Sequence, residues 1–418
     1  MKQTNSPIIN IYFFSIVLAM LKSMKICWLW SLPQPFFVYF AFLMTIVALF
    51  STSIFKLNNK KNTRLILFVY LLMVLVQVFF GPPSNIFGYL FSLLIHPILL
   101  IGVLLLKDEY KIKLFDFFVK IFSFILIVSI PAWILYLMGR PFHQSPLYDV
   151  GDGFHYMYSY TFFVISYNSV GAAFPRFASI FLEPGWVGTL CCFVLFGIQF
   201  NRKRLATYLC FIGILLSMSL SAFVNLIVCG VLWIVMSSKH KFVYALSVTA
   251  ILAGVALFAL KYNNGNNALN ERIMERLVFD EDLGIAGNNR TNETLDYYLE
   301  DMLSSSNRWF GFSNQIDGDF SESNDWYSHA SGIKKSLITN GIVGVCLLLA
   351  FFTLLLFKYR CKKSFVFYVC FLMASFIRDL WQTDCYIILY ITAMAVLYTC
   401  SMQESNRLIG VNGAPKKY

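Results

Sequence analysis

An arginine and a glutamate stand close together just before an apolar stretch of this chain. Arg176 and Glu183 end a long polar segment, and Pro184 begins the apolar run that follows. Ionisable groups are costly where a membrane helix meets water, so their presence favours a site over simple packing. Proline suits the first turn of a helix, which places Glu183 at a helix N-terminus, where the dipole stabilises its anion. We expect a positioning or ion-pairing carboxylate; an interface salt bridge that caps the helix is the alternative.

Four arginines occur in a second long polar segment: Arg272, Arg276, Arg290 and Arg308. The guanidinium fork matches phosphate oxygens two at a time and stays charged at any working pH. Arg290 stands just before a stretch of helical apolar periodicity, which makes it the most distinctive of the four. The pattern indicates phosphate binding, while arginines that only keep a loop soluble are the alternative.

A histidine ends the same polar segment. His329 lies a few residues before the next apolar run, where an imidazole can act as a general base or donate a hydrogen bond to a phosphate. A purely structural histidine is the alternative. His96 precedes Pro97 inside an apolar run, and we predict that it satisfies a backbone group at a kink.

We predict no metal ion and no cofactor. Asp152, His155, Asp317, Asp319 and Asp325 do not follow a metal-ligand spacing. The ten cysteines lie in or beside apolar runs and form no CxxC pair. A phosphate-binding P-loop and a dinucleotide-binding GxGxxG are both absent from the sequence. Energy for any reaction should therefore come from the substrate itself.

Composition indicates a polytopic membrane protein. Of the 418 residues, 58% are hydrophobic and only 13% are charged, about half the soluble-protein average of ~25%. The net charge of +11 is distributed between apolar runs instead of forming one patch. Orientation in a membrane explains that distribution better than binding to nucleic acid, which we do not expect.

The apolar runs predict twelve membrane spans, since a span needs ~20 mostly apolar residues. We divide the long run over 205–237 at Ser217–Ser221, because basic clusters flank both of its ends. The candidate spans are 6–22, 34–55, 65–81, 86–106, 115–137, 184–200, 205–219, 222–237, 242–260, 337–357, 364–379 and 383–401.

The distribution of lysine and arginine orients these spans with both termini in the cytoplasm. Short loops assigned to the outside carry neither residue, apart from Lys22, Lys25 and Arg378. The inside clusters are Lys56–Arg64, Lys107–Lys113, Arg202–Arg204, Lys239–Lys241 and Lys358–Lys363.

Two long external loops divide the predicted fold. The first occupies 138–183 and the second 261–336, and the second contains a predicted amphipathic helix from Arg290 to Ser305. The remaining divisions are five spans in 1–137, four in 184–260, and three with a cytoplasmic tail in 337–418.

Three segments resemble the bacterial O-antigen and capsular polysaccharide polymerases (Wzy-type), relatives of the O-antigen ligases. Arg176–Gly185 resembles that family's arginine to Glu-Pro segment before a span. Arg290 with Trp309–Phe312, and His329 with Gly341–Gly344, resemble the arginine, Phe-Gly, histidine and Gly-Ile-x-Gly elements of its large loop. Glu-Pro-Gly in this chain, where ligases have Asn-Pro-Asn, favours a polymerase.

The resemblance implies an all-α, GT-C-like membrane fold with about 12 transmembrane helices, located in the bacterial cytoplasmic (inner) membrane. It implies sugar repeat units linked to undecaprenyl diphosphate as substrates, handled at the outer face of that membrane. The reaction would be an inverting, metal-independent glycosyl transfer. A chain-length regulator protein and membrane lipid are the implied partners.

Roles for individual residues follow from combining the resemblance with the chemistry above. We assign Arg176 and Arg290 to the diphosphates, with Arg272 and Arg276 as further diphosphate-binding groups in the second loop.

His329 or Glu183 would orient and deprotonate the acceptor hydroxyl. The dipole at its helix favours Glu183 as the organiser and His329 as the base.

Two other functions fit parts of the pattern. A ligase would share the fold and the arginines but transfer the glycan to a lipid core or a protein. A flippase for lipid-linked oligosaccharide predicts polar residues throughout the spans and short external loops, whereas here charge is concentrated in two long loops. We therefore expect chemistry at the outer surface.

Overall fold

The computed structural model of this chain describes residues 7–55, 61–80, 94–149, 156–170, 174–237, 293–312, 332–381 and 383–408, with short stretches between 243 and 285. Within these residues there are twelve α-helices, α1 to α12. Their bounds are Pro7–Ser23, Gln34–Ser51, Lys61–Phe80, His96–Leu105, Asp108–Leu137, Pro184–Gly197, Leu205–Ser217, Leu220–Ser237, Glu293–Ser304, Gly332–Lys358, Lys362–Ile377 and Asp384–Leu408.

The fold is dominated by apolar helices, as predicted for an all-α membrane protein. By length and composition, α5, α10 and α12 are able to cross a membrane, and seven shorter helices are also apolar. Helices stand at eleven of the twelve predicted spans, and the twelfth, 242–260, lies largely outside the described residues. The total number of crossings stays a prediction.

The predicted division of the 205–237 run is confirmed. Helix α7 ends at Ser217, Met218 takes a left-handed conformation with φ 44° and ψ 40°, and α8 begins at Leu220. Prolines in the first turns of α2, α4 and α6 begin those helices without loss of a hydrogen bond, because amides at that position have no intrahelical partner.

One end of the bundle carries the basic clusters. Arg204 pairs with Asp116 at 2.7 Å, and Lys363 pairs with Glu404 at 2.7 Å. Lys111 is buried there and donates to the carbonyl of Leu106 at 2.7 Å. These contacts join α5 to the start of α7, and the start of α11 to the end of α12. We call this the basic end. The opposite end, which carries the predicted external loops and residues Glu183 and Arg378, we call the outer end.

A small antiparallel sheet lies in the first predicted external loop. Its strands are β1, Tyr148–Asp149; β2, Tyr156–Ser159; and β3, Val164–Ser166, in the order β1-β2-β3. Met157 and Val164 turn inward and pack with Ala178 and Leu182 in a cluster of their own. The all-α prediction omitted these strands, because two to four residues are too few to show a clear period of two.

Lys22 explains one of the exceptions to the charge rule. Its ammonium group donates to the carbonyl oxygens of Leu29 at 2.7 Å and Leu32 at 2.6 Å. The lysine is buried and fastens the loop after α1 instead of marking a cytoplasmic surface.

Helix α10 is interrupted at Gly341, which has φ 63° and ψ −174°. The backbone of Trp309 to Phe312 lies in the gap: the amide of Val343 donates to the carbonyl of Trp309 at 3.0 Å, and the amide of Phe312 donates to the carbonyl of Ile338 at 2.8 Å. These bonds replace part of the helical ladder that the interruption removes. A segment of the second external loop is thereby built into a membrane-type helix.

The predicted amphipathic helix is confirmed as α9. Its apolar face, with Leu295 and Leu299, packs on Ile338 of α10. The helix therefore covers the N-terminal part of α10.

Candidate functional site

Glu183 is joined to an arginine from the far end of the chain. Its Oε2 lies 2.5 Å from Nη1 of Arg378, which follows α11. The two side chains are mostly shielded from solvent, with 19% and 11% of their surfaces exposed. Glu183 occupies the N-cap position of α6 in an extended conformation, but its side chain makes no capping hydrogen bond. The salt bridge considered above as the alternative is present, but it does not cap the helix, since the carboxylate binds Arg378 and not the helix amides.

The guanidinium of Arg378 lies directly over Gly185. A Cβ at that glycine would stand 2.0 Å from Nη2 of Arg378 and 2.6 Å from its Cζ. Any larger residue would displace the arginine. The Glu-Pro-Gly segment thus has one function per residue: Glu183 binds the guanidinium, Pro184 starts α6, and Gly185 leaves the space.

Arg176 binds a turn that packs against the same helix. Its Nε donates to the carbonyl oxygen of Ser217 at 3.1 Å, at the turn between α7 and α8. Gly188 of α6 faces that turn, because a Cβ there would lie 2.8 Å from Oγ of Ser217. Glu183 and Gly188 are five residues apart, which is about 7.5 Å along a helix. The first turns of α6 therefore contact both Arg378, at Gly185, and the turn that binds Arg176, at Gly188.

The loop that holds Arg378 is packed against the start of α10. Space at Gly332 is closed by backbone atoms of Ser375 and Arg378. Ser336 donates to Asp379 at 3.2 Å and accepts from the indole of Trp381 at 2.7 Å.

Burial raises the pKa of the Asp379 carboxyl above its usual range, although Lys335, Ser336 and Trp381 act in the opposite direction. Lys335 lies 3.9 Å from this carboxylate. Two more charged groups thus stand next to the ion pair at the outer end.

The two helices of the second loop's described part are joined to each other. Asp296 of α9 pairs with Lys334 of α10. The Trp309–Phe312 and Gly341–Gly344 segments, which carried part of the resemblance, are in backbone contact.

Four of the six predicted site residues lie outside the described residues: Arg272, Arg276, Arg290 and His329. Of these, Arg290 precedes α9 by three positions and His329 precedes α10 by three positions. The two described site residues, Arg176 and Glu183, lie at the start of the same helix. The predicted roles of all six stay predictions.

The prediction for His96 is wrong. Its Nε2 lies 2.7 Å from Oδ1 of Asp384, the first residue of α12, so the ring contacts a carboxylate and not a backbone group. Asp384 is buried, with 5% of its side chain exposed. This pair fastens the start of α4 to the start of α12.

Arg378 is the residue that sequence reasoning omitted. It was recorded only as an exception to the distribution of basic residues, in the last short external loop. That exception was the available signal, because an arginine in a loop predicted to be external needs a local reason. The reason is the carboxylate of Glu183.

Comparison of this chain with protein-family models, with curated proteins and with solved structures gives no match.

Proposed function

We propose that this protein is a polysaccharide polymerase that transfers a growing glycan from undecaprenyl diphosphate to the next lipid-linked repeat unit. The observation that carries the proposal is the arrangement around α6: the shielded Glu183–Arg378 pair at its start, and Arg176 bound to the Ser217 turn that Gly188 of α6 faces. Two cations and a carboxylate at the outer end suit a substrate that brings a diphosphate and a hydroxyl to the membrane surface.

The proposed reaction is an inverting transfer without a metal ion. The acceptor hydroxyl attacks the anomeric carbon of the donor sugar, and the bond from that carbon to the diphosphate oxygen breaks. The bonding pair leaves with the diphosphate, and the hydroxyl proton passes to a base. Arg176 and Arg290 stabilise the charge on the departing diphosphate, with Arg272 and Arg276 as further cations of the second loop.

The acceptor side of the site falls to Glu183 and His329. A carboxylate bound to Arg378 accepts hydrogen bonds in a fixed position, which supports the role of organiser for Glu183. His329 then takes the proton. Both assignments follow from the steps of the reaction, which needs one group to orient the acceptor hydroxyl and one to take its proton.

The proposed setting is the bacterial cytoplasmic membrane, crossed about 12 times in a GT-C-like fold, with both termini in the cytoplasm. The separation of the basic end from the outer end supports this orientation, because lysine and arginine favour the cytoplasmic side. A chain-length regulator would act at the outer end.

The glycan profile of a strain that lacks this protein tests the proposal. A polymerase predicts single repeat units after deletion, and return of the ladder of lengths with wild type but not with Arg176→Ala. Arg204→Ala is the matched control, since Arg204 also binds a carboxylate but lies at the basic end; it should restore the ladder.

Other outcomes identify the alternatives. Complete polymer that accumulates on its lipid carrier, with none attached, would indicate a ligase. Subunits held at the cytoplasmic face would indicate a flippase. A full ladder with Arg176→Ala, at normal protein level, would remove Arg176 from the site.

A further inference from the structure

The pairing of Glu183 with Arg378 bears on how the proposed site is occupied before substrate arrives. A carboxylate and a phosphate present the same kind of oxygen edge to a guanidinium. In this structure the carboxylate of Glu183 occupies the guanidinium of Arg378, with its Oε2 at 2.5 Å from Nη1. An anionic substrate that used Arg378 would have to compete with it.

Arg378 has more hydrogen-bonding capacity than Glu183 uses. A guanidinium carries five N–H donors, and the Nε of Arg378 is buried without a hydrogen-bond partner in the described part of the chain. Leaving a buried donor unsatisfied is costly, more so for a charged group. A diphosphate, with several acceptor oxygens, satisfies such a group better than one carboxylate does.

The backbone of Arg378 is held in place by hydrogen bonds of its own. The amide of Arg378 donates to the carbonyl of Ala374 at 2.9 Å, and its carbonyl accepts from the amide of Leu380 at 2.7 Å. Gly185 forms the floor beneath its planar group. Arg378 can therefore keep its position when its anion changes.

Glu183, in contrast, can leave without loss of a helix cap. Its side chain makes no capping hydrogen bond to α6, and Pro184 at the first helical position already has the φ that the helix needs. Release of the carboxylate breaks the ion pair but leaves α6 intact.

We propose that Glu183 occupies, in the substrate-free protein, the position on Arg378 that a substrate phosphate takes. When the diphosphate binds, Arg378 exchanges the carboxylate of Glu183 for a phosphate of the substrate. The freed carboxylate of Glu183 then turns towards the acceptor hydroxyl. Arg378 is thus a further diphosphate-binding residue, and Glu183 becomes available only when a donor or acceptor lipid is present. This inference rests on the proposed function.

The test compares ligand binding with turnover in the purified full-length protein in lipid nanodiscs. The probes are undecaprenyl diphosphate and inorganic diphosphate. Glu183→Gln removes the competing anion, so it should bind undecaprenyl diphosphate about fivefold tighter or more than wild type, yet polymerise poorly. Arg378→Gln should bind undecaprenyl diphosphate more weakly than wild type does. The affinity of Arg378→Lys should lie between those of wild type and Arg378→Gln.

Matched controls separate this exchange from general electrostatics. Asp116→Asn removes the carboxylate from the Arg–Asp pair at the basic end and should leave binding unchanged. Glu183→Ala repeats the expected gain if the glutamine variant folds poorly. A gain with both probes assigns recognition to the diphosphate alone, and a gain with undecaprenyl diphosphate only shows that the lipid contributes.

The failures are distinguishable. If wild type polymerises but Glu183→Gln binds undecaprenyl diphosphate equally or more weakly, the exchange is wrong and Glu183 is a structural partner of Arg378. If wild type neither binds undecaprenyl diphosphate nor extends lipid-linked repeat units, the proposed function is wrong.

Discussion

Gly311 and Gly341 meet backbone to backbone, 30 residues apart in the sequence. A Cβ at Gly341 would stand 2.5 Å from the amide nitrogen of Gly311, and one at Gly311 would stand 2.6 Å from that of Gly341. Both glycines have positive φ, 76° at Gly311 and 63° at Gly341. Their contact fastens the loop after α9 into the interruption of α10.

We expect Gly341→Ala to destabilise this junction. Its combination of φ 63° and ψ −174° is open essentially to glycine alone, and an alanine there is strained by about 1–3 kcal/mol before any clash is counted. Thermal unfolding of the protein in detergent measures the loss. Gly230→Ala in α8 is the control, since nothing lies within 4 Å of its Cβ position; equal unfolding temperatures for the two variants would contradict the prediction.

Gly185→Ala should separate activity from stability. Alanine is a better helix former than glycine, so α6 should persist, but its Cβ would stand 2.0 Å from Nη2 of Arg378 and move the guanidinium. We expect polymerisation to fall by about 100-fold, the order expected of a misplaced catalytic-site group. Turnover of lipid-linked repeat units and the unfolding temperature are the two readouts. Wild-type turnover would show that the position of Arg378 is unimportant.

Lys22→Met should loosen the loop after α1. The ammonium group donates to two carbonyls, at 2.7 Å and 2.6 Å, and each hydrogen bond to a charged group is worth about 1.5–3 kcal/mol. We expect a lower unfolding temperature and faster proteolysis between Met24 and Gln34. The neighbouring Lys25→Met should change stability by no more than about 0.5 kcal/mol, because that side chain is exposed.

Asp379 makes stability depend on pH. Burial raises the pKa of its carboxyl, so the folded protein holds this proton more tightly than the unfolded chain does. The contribution of Asp379 to the free energy of unfolding is therefore fully present below its pKa in the unfolded chain. It is lost as the pH rises through its pKa in the folded protein. Asp379→Asn should remove that loss while keeping the acceptor for Ser336.

The comparison of unfolding temperatures over a pH series measures this effect. Relative to wild type, the asparagine variant should gain stability as pH rises from about 4 towards 7. A difference between the two proteins that does not change with pH would show that Asp379 has the same pKa in both states.

Hydropathy and charge predicted the helices of this fold well. The runs that became α1 to α8 and α10 to α12 are continuous in sequence, so their apolar character is visible locally, and the turn at Ser217 follows from the basic residues on both sides. The amphipathic helix α9 was predicted because Leu295 and Leu299 share one face.

What sequence reasoning missed depends on contacts between distant segments. The partner of Glu183 is 195 residues away, and the partner of His96 is 288 residues away. Neither separation has a periodicity that could reveal it. The interruption at Gly341 was equally hidden, because a glycine in an apolar run does not show which backbone will fill the gap beside it.

The long separation between Glu183 and Arg378 also concerns how the protein is made. Membrane helices enter the bilayer in the order of their synthesis, so α6 with Glu183 is in place well before α11 and Arg378 leave the ribosome. During that interval the glutamate does not have the guanidinium of Arg378 to bind. The pair is therefore assembled late, and a chain that stops before Arg378 carries every apolar helix up to α11 but not the pair that completes the site.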